Sequence, residues 1–260
     1  MGFKKLLAAM GAGGASVETV LSEVNVVPGG VVQGEVRIQG GSVPQQIEGL
    51  SVGLQAKVEV ESGDQEYKQD IEFTKVRLGG AFEVQPGAVH VVPFGLEIPW
   101  ETPVTHFAGQ HLHGMHIGVT TELEIARAVD AGDLDPINVH PLPAQQAILD
   151  AFGQLGFRFR SADMERGHIR GTRQQLPFYQ EIEFLPPQQY HGLNQVELTF
   201  IADGREMDVV LEMDKKPGLF SEGSDTYRSF TVGLHDYQNT NWAAYLNEWI
   251  ASVGSKRNWF

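Results

Sequence analysis

Residues 50–60, LSVGLQAKVEV, decide the fold class. Leu50, Val52, Leu54, Ala56, Val58 and Val60 fall on every second position, against Ser51, Gln55, Lys57 and Glu59 on the other parity. A period of two puts each set on its own face of an extended chain, whereas a helix would scatter both sets around its axis. The stretch therefore reads as an antiparallel strand with one face buried. VVQGEVRI, residues 31–38, repeats the pattern, with Val32, Val36 and Ile38 on one side and Gln33, Glu35 and Arg37 on the other. Pro28-Gly29-Gly30, Gly40-Gly41, Ser62-Gly63-Asp64, Gly79-Gly80 and Pro86-Gly87 punctuate the runs at spacings too short for helical crossovers. A β-sandwich is expected for the first half.

Working outward, TELEIARAVDAGDLDPINVHPLP, residues 121–143, starts as strand and then gathers Asp, Gly and Pro, which is expected to stop regular structure. A domain boundary is placed there, giving domains over 1–140 and 141–235 and a C-terminal helix and tail over 236–260. In AQQAILDAFGQLG, residues 144–156, Ile148, Leu149, Phe152 and Leu155 sit at helical spacing before a glycine stop. The period of two returns in Phe157 and Phe159 against Arg158 and Arg160, and again in Met207, Val209, Leu211 and Met213. The second domain is accordingly also read as a sandwich. Trp242, Tyr245, Leu246, Trp249 and Ile250 then form the apolar stripe of an amphipathic helix behind an Asn/Thr cap. At the other end Phe3, Leu6, Leu7 and Met10 mark a short amphipathic helix carrying Lys4 and Lys5, enough for weak peripheral membrane contact.

Composition narrows the function. A length of 260 residues suits two ordinary domains. The formal net charge of −14 disfavours binding to nucleic acid, because counterion release needs basic patches. With no cysteine there are no disulfides, thiolate metal sites or cysteine nucleophiles, which suits a reducing compartment. No apolar run approaches the roughly 20 residues of a membrane span. The apolar stretch Leu6–Met10 is shorter than the about 7–15 residues of a signal-peptide core. A cytoplasmic protein is expected.

Chemistry is sparse. GQHLHGMHIGV, residues 109–119, holds His111, His113 and His116. If the strand that includes Met115 and Ile117 extends back through them, parity puts His116 on one face and His111 with His113 on the other, so the three cannot converge on one metal. His111 and His113 remain the metal candidates, with His90 or His106 as a third ligand from another strand. The acids Asp130, Asp133 and Asp135 lack the glycine and distal glutamate of a calcium loop and are read as turn chemistry. None of the common nucleophile, metalloprotease, phosphate-loop or dinucleotide motifs occurs, and no pair of carboxylates stands out. No catalytic residues and no cofactor are assigned. The partner-binding candidates are Trp242, Tyr245 and Trp249, since aromatics dominate interaction hot spots.

VHVVPFGLEIPWETPVT, residues 89–105, resembles the first-domain signature of arrestin-fold proteins. FKKLLAAMGAGGASVETVL (3–21), TTELEIARAVDAGDLDPINVHP (120–141), ADMERG (162–167) and LPFYQEIEFLPP (176–187) extend the resemblance, in order, to the bacterial sporulation-control family. The resemblance implies two arrestin-like (immunoglobulin-like) β-sandwiches in an all-β chain. It also implies a cytoplasmic, non-enzymatic regulatory role in sporulation, cell-cycle or envelope behaviour, exercised through contacts with other proteins. It carries no catalytic residues and does not extend to the histidines. The competing reading is a metal-binding sandwich protein or enzyme using His111 and His113. Open sheet edges further suggest association, as a homodimer or by strand addition to a partner.

Overall fold

The computed structural model describes residues 13–62, 65–215 and 225–254. Over these residues the chain is mostly β, with two α-helices. The helix expected from Phe3 to Met10, with its membrane-facing lysines, lies outside the described residues, as does the tail from residue 255. The chain divides into two compact units. One comprises the described residues of Met1–Lys57, Asp70–Pro99 and His116–Val139, the other Val58–Gln69, Trp100–Met115 and His140–Phe260. The turn-rich stretch near residue 140 marks only the last passage between them. An earlier passage falls inside a continuous strand, where composition leaves no mark.

In the first unit, β1 (Ser16–Leu21), β3 (Val31–Gln39) and β7 (Val89–Glu97) form an antiparallel sheet in the order β1-β3-β7. The short β2 (Asn25–Val26) pairs in parallel with β12 (Asn138–Val139). A second set is built on β4 (Gln45–Ser62), which pairs with β5 (Gln65–Gly79), β6 (Phe82–Val84) and β10 (Ile117–Ile125). Leu50, Val52, Leu54, Ala56 and Val58 are all at most 1% exposed. Each of the leucine and valine side chains contributes roughly 1.5–3 kcal/mol on burial.

The polar parity of β4 is covered too, which alternation did not foretell: Ser51 and Gly53 are buried. The cover comes from β5. Lys75 bonds Glu122 of β10 at 2.5 Å, Thr120 donates to Glu72 at 3.1 Å, and a Cβ on Gly53 would run into the Thr74 carbonyl oxygen.

The segment 121–143 departs from expectation. Ala131–Pro136 forms β11, antiparallel to β10 from Gly118↔Pro136 to Leu123↔Ala131. One acid closes this hairpin and another ties β11 to β1. Asp130 accepts the Ile125 N–H at 2.9 Å beside a left-handed Arg127 (φ 62°), and Asp133 accepts the Thr19 N–H at 2.9 Å. Burial, then the Asp133 charge, raises the Asp135 carboxyl to about 6.

The second unit orders β13 (Arg158–Arg166), β14 (Phe178–Leu185), β15 (Leu193–Ala202), β16 (Glu206–Lys215) and β17 (Asp225–Gly233) as an antiparallel succession. Met207, Val209, Leu211 and Met213 are fully buried on its inner face. Helix α1 (Pro143–Gln154) starts with proline in its first turn and the Leu142 N–H donating to the Gln145 side chain at 2.7 Å, and Gly156 (φ 86°) follows its end. Its Phe152 packs on Phe184 and Phe157 at ring distances of 4.8 and 5.0 Å. Phe159, assigned inward by alternation, is 39% exposed, because the β13–β14 register shifts between Phe159 and Ser161.

Candidate functional site

Three surfaces of the second unit carry candidate chemistry. The first is a hairpin of two short strands, β8 (His106–Phe107) and β9 (Gln110–His111), closed by Ala108 (φ 51°) and Gly109 (φ 76°). Two successive positive φ values make the tight primed turn that matches strand twist. The register places His106 opposite His111, with ring centres 5.0 Å apart, and the ring centre of His140 lies 5.0 Å from that of His106. Nδ1 of His106 lies 3.0 Å from the hydroxyl of the fully buried Thr105. Burial, reinforced by His111 and His140, pushes the His106 imidazole below its ordinary value.

The structure therefore brings together a different set from the HLHGMH cluster. No strand runs from residue 111 to 116. Leu112 is buried, Gly114 takes φ 89°, and His111 and His113 are both exposed rather than on an apolar face. His90 and His116 belong to the first unit, where His90 packs on Phe82 at 5.6 Å. His140 was invisible as a partner because it is distant in sequence and precedes Pro141 in what reads as a linker.

The second surface is the outward face of β13 to β17. Glu183↔Glu197, Glu197↔Glu212 and Glu212↔Tyr227 are cross-strand pairs, and Asp163↔Glu181 lies in the next row. Glu181, Glu197 and Glu212 are half-buried and offer carboxylate oxygens within 4.8 Å of one another. Burial, then the neighbouring Glu197, raises Glu181 to about 8, and burial with Glu212 raises Glu197 to about 7. Like charges this close share protons at neutral pH. Beside them a cleft of about 420 Å³ is lined by His168, Arg170, Tyr179, Tyr227 and Arg228 among others. Its loop is tied down by Arg173, which donates to Asp203 (2.7 Å), Asp208 (3.0 Å) and Glu206 (3.2 Å). The sequence did carry a signal for this face: Glu181, Glu183, Glu197 and Glu212 share outward parity on successive strands.

The third surface is α2 (Trp242–Gly254), which the Asn241 side chain caps by accepting the Ala244 N–H at 3.1 Å. Leu246 and Ile250 are buried. Trp242, Tyr245 and Trp249 gather around Phe230 of β17 at ring distances of 6.0, 5.0 and 5.4 Å. They keep an accessible rim: Tyr245 is 38% exposed and both tryptophans are half-buried. The helix thus packs on its own unit through its aliphatic residues, with the rings at the border.

These features define a mostly β protein of two units with side-chain clusters displayed on one of them. Among the described residues no helix is long and apolar enough to cross a membrane. The family described as SpoOM protein (Spo0M) matches residues 3–217, and the chain belongs to that family. It is 34% identical over 216 residues to the sporulation-control protein Spo0M of Bacillus subtilis strain 168, covering 82% of this chain and 81% of that one. The crystal structure of Bacillus subtilis Spo0M superposes with a TM-score of 0.80 at 27% identity, over 92% of this chain and 99% of that chain.

Proposed function

We propose that this chain is a non-enzymatic regulatory adaptor of the Spo0M family, built from two arrestin-like β-sandwiches and acting in the cytoplasm through contacts with other proteins. One observation carries the reading. Helix α2 anchors itself with Leu246 and Ile250 and keeps Trp242, Tyr245 and Trp249 at the surface around Phe230. Large rigid rings half-exposed on a firmly seated helix are what a hot spot requires: apolar area presented at small entropic cost. Sporulation control, the role named for the Bacillus subtilis relative, is work for a regulator.

The test is a cross-linking pull-down from native cells with Tyr245→Ala and Trp249→Ala combined, alongside thermal unfolding. Partners captured by the natural chain should be lost with the melting transition kept. Unchanged capture, or loss of cooperative unfolding, would overturn the assignment of these rings as a contact surface.

A further inference from the structure

We propose that the open edge of β7 is a strand-addition site for an extended, aliphatic and basic segment of a partner protein. The site belongs to the first unit and shares no residue with the α2 surface, so it stands or falls separately from the contact surface assigned there.

Strand β7 ends its sheet, with β3 on one side and no strand on the other among the described residues. The Ile98 N–H donates to the Gly30 carbonyl and the Gly40 N–H to the Ala88 carbonyl, both at 2.8 Å. In the register Val31↔Glu97 this assigns the backbone groups of the even-numbered residues of β7 to β3. The odd-numbered residues therefore direct theirs to the open side: N–H and C=O of Val89 and Val91, and the C=O of Pro93. Pro93 has no N–H to offer and sits on the parity where a sheet edge tolerates it. The far edge of the same sheet is closed differently, since the Thr19 N–H of β1 is taken by Asp133 at 2.9 Å. Among the described residues no such bond reaches Val89 or Val91, which are 60% and 51% exposed.

The surroundings of the edge select the occupant. A groove of about 470 Å³ runs beside it, lined by Leu50, Leu78, Phe82, Glu83, His90 and Val92 among others. A strand laid along β7 would set alternate side chains into this groove and the rest beside Val89 and Val91 on the outer face, which asks for branched aliphatics at every second position. Charge supplies the second criterion. Arg37, opposite Val91 on β3, is already paired with Glu35. Glu83 in the groove and Glu97 at the end of β7 have no basic partner among the described residues. A basic segment meets both acids, whereas a second copy of a chain with net charge −14 is repelled.

The probe is a fluorescein-labelled peptide, Lys-Val-Thr-Val-Thr-Val-Lys, titrated with the intact protein and followed by anisotropy. Saturable binding is expected, with Glu-Val-Thr-Val-Thr-Val-Glu held about fivefold more weakly. Amide exchange of isotope-labelled protein reads the parity directly. The Val89 and Val91 amides should exchange faster than those of His90 and Val92 in the free protein, and should slow when the peptide is bound. Val91→Pro removes one outward N–H and leaves the β3 ladder whole, so it should weaken binding about tenfold with the melting temperature kept. Trp249→Ala should leave binding unchanged. Lack of saturable binding, equal binding of the two peptides, or Val89 and Val91 amides that stay unprotected would overturn the proposal. Light scattering that shows a dimer broken by Val91→Pro would also overturn it, by giving this edge to a second copy.

Discussion

At the scale of single residues, the telling groups are Glu181 and Glu197. Their folded values, about 8 and about 7, stand well above the ordinary 4.5 of a glutamate. The folded state therefore holds protons that the unfolded chain has released. Stability from this source is complete below about pH 4.5 and is lost as pH rises through roughly 7 to 8. Glu181→Gln keeps the shape and removes the charge. It should stabilise the protein by about 1–2 kcal/mol at pH 8, after allowance for screening at this open face, and by much less at pH 5. Urea melts at the two pH values measure the difference, and an equal effect at both would exclude shared protons. These acids were within reach of sequence reading, since outward parity on neighbouring strands puts them together. Selecting them required the register, and strand register depends on turns and bulges such as the shift at Phe159–Ser161.

At the scale of elements, glycines of similar appearance have opposite roles. Gly53 lies where β5 crosses the polar side of β4, and an added Cβ meets the Thr74 backbone oxygen. Gly53→Ala should cost about 1–3 kcal/mol, because backbone cannot yield as a side-chain tip can. Gly153 sits in α1 with nothing within 4 Å of its added Cβ. Gly153→Ala should stabilise by about 0.5–1 kcal/mol, the ordinary helix preference for alanine. Denaturant midpoints of the two variants should move in opposite directions, and a shared sign would refute the account of β5 as the cover. The same strand shows what was legible. Alternation identified the inward face of β4 correctly, because hydrophobic burial writes itself into local composition. The cover over Ser51 and Gly53 and the strand β11 were not legible, because Lys75–Glu122 and Thr19–Asp133 are polar contacts between segments far apart in sequence.

At the scale of the whole molecule, charge is the dominant global property. Lys and Arg number 19 against 33 Asp and Glu, a formal net charge of −14. Self-repulsion of that size opposes compaction and is felt across the molecule at low salt, where the Debye length is about 30 Å, but much less at physiological salt, where it is about 8 Å. The repulsion is not evenly spread, since the face with Glu181, Glu183, Glu197 and Glu212 concentrates it within one sheet. Exposed ion pairs such as Arg37–Glu35 would weaken with salt, yet each is worth only about 0–1 kcal/mol. The repulsive contribution should win. The melting temperature at pH 8 is expected to rise as sodium chloride goes from about 0.01 to 0.15 M, and Glu197→Gln should flatten the rise by relieving the most crowded carboxylates. A falling curve would show that attractive pairs dominate. A rise untouched by Glu197→Gln would place the repulsion elsewhere on the surface.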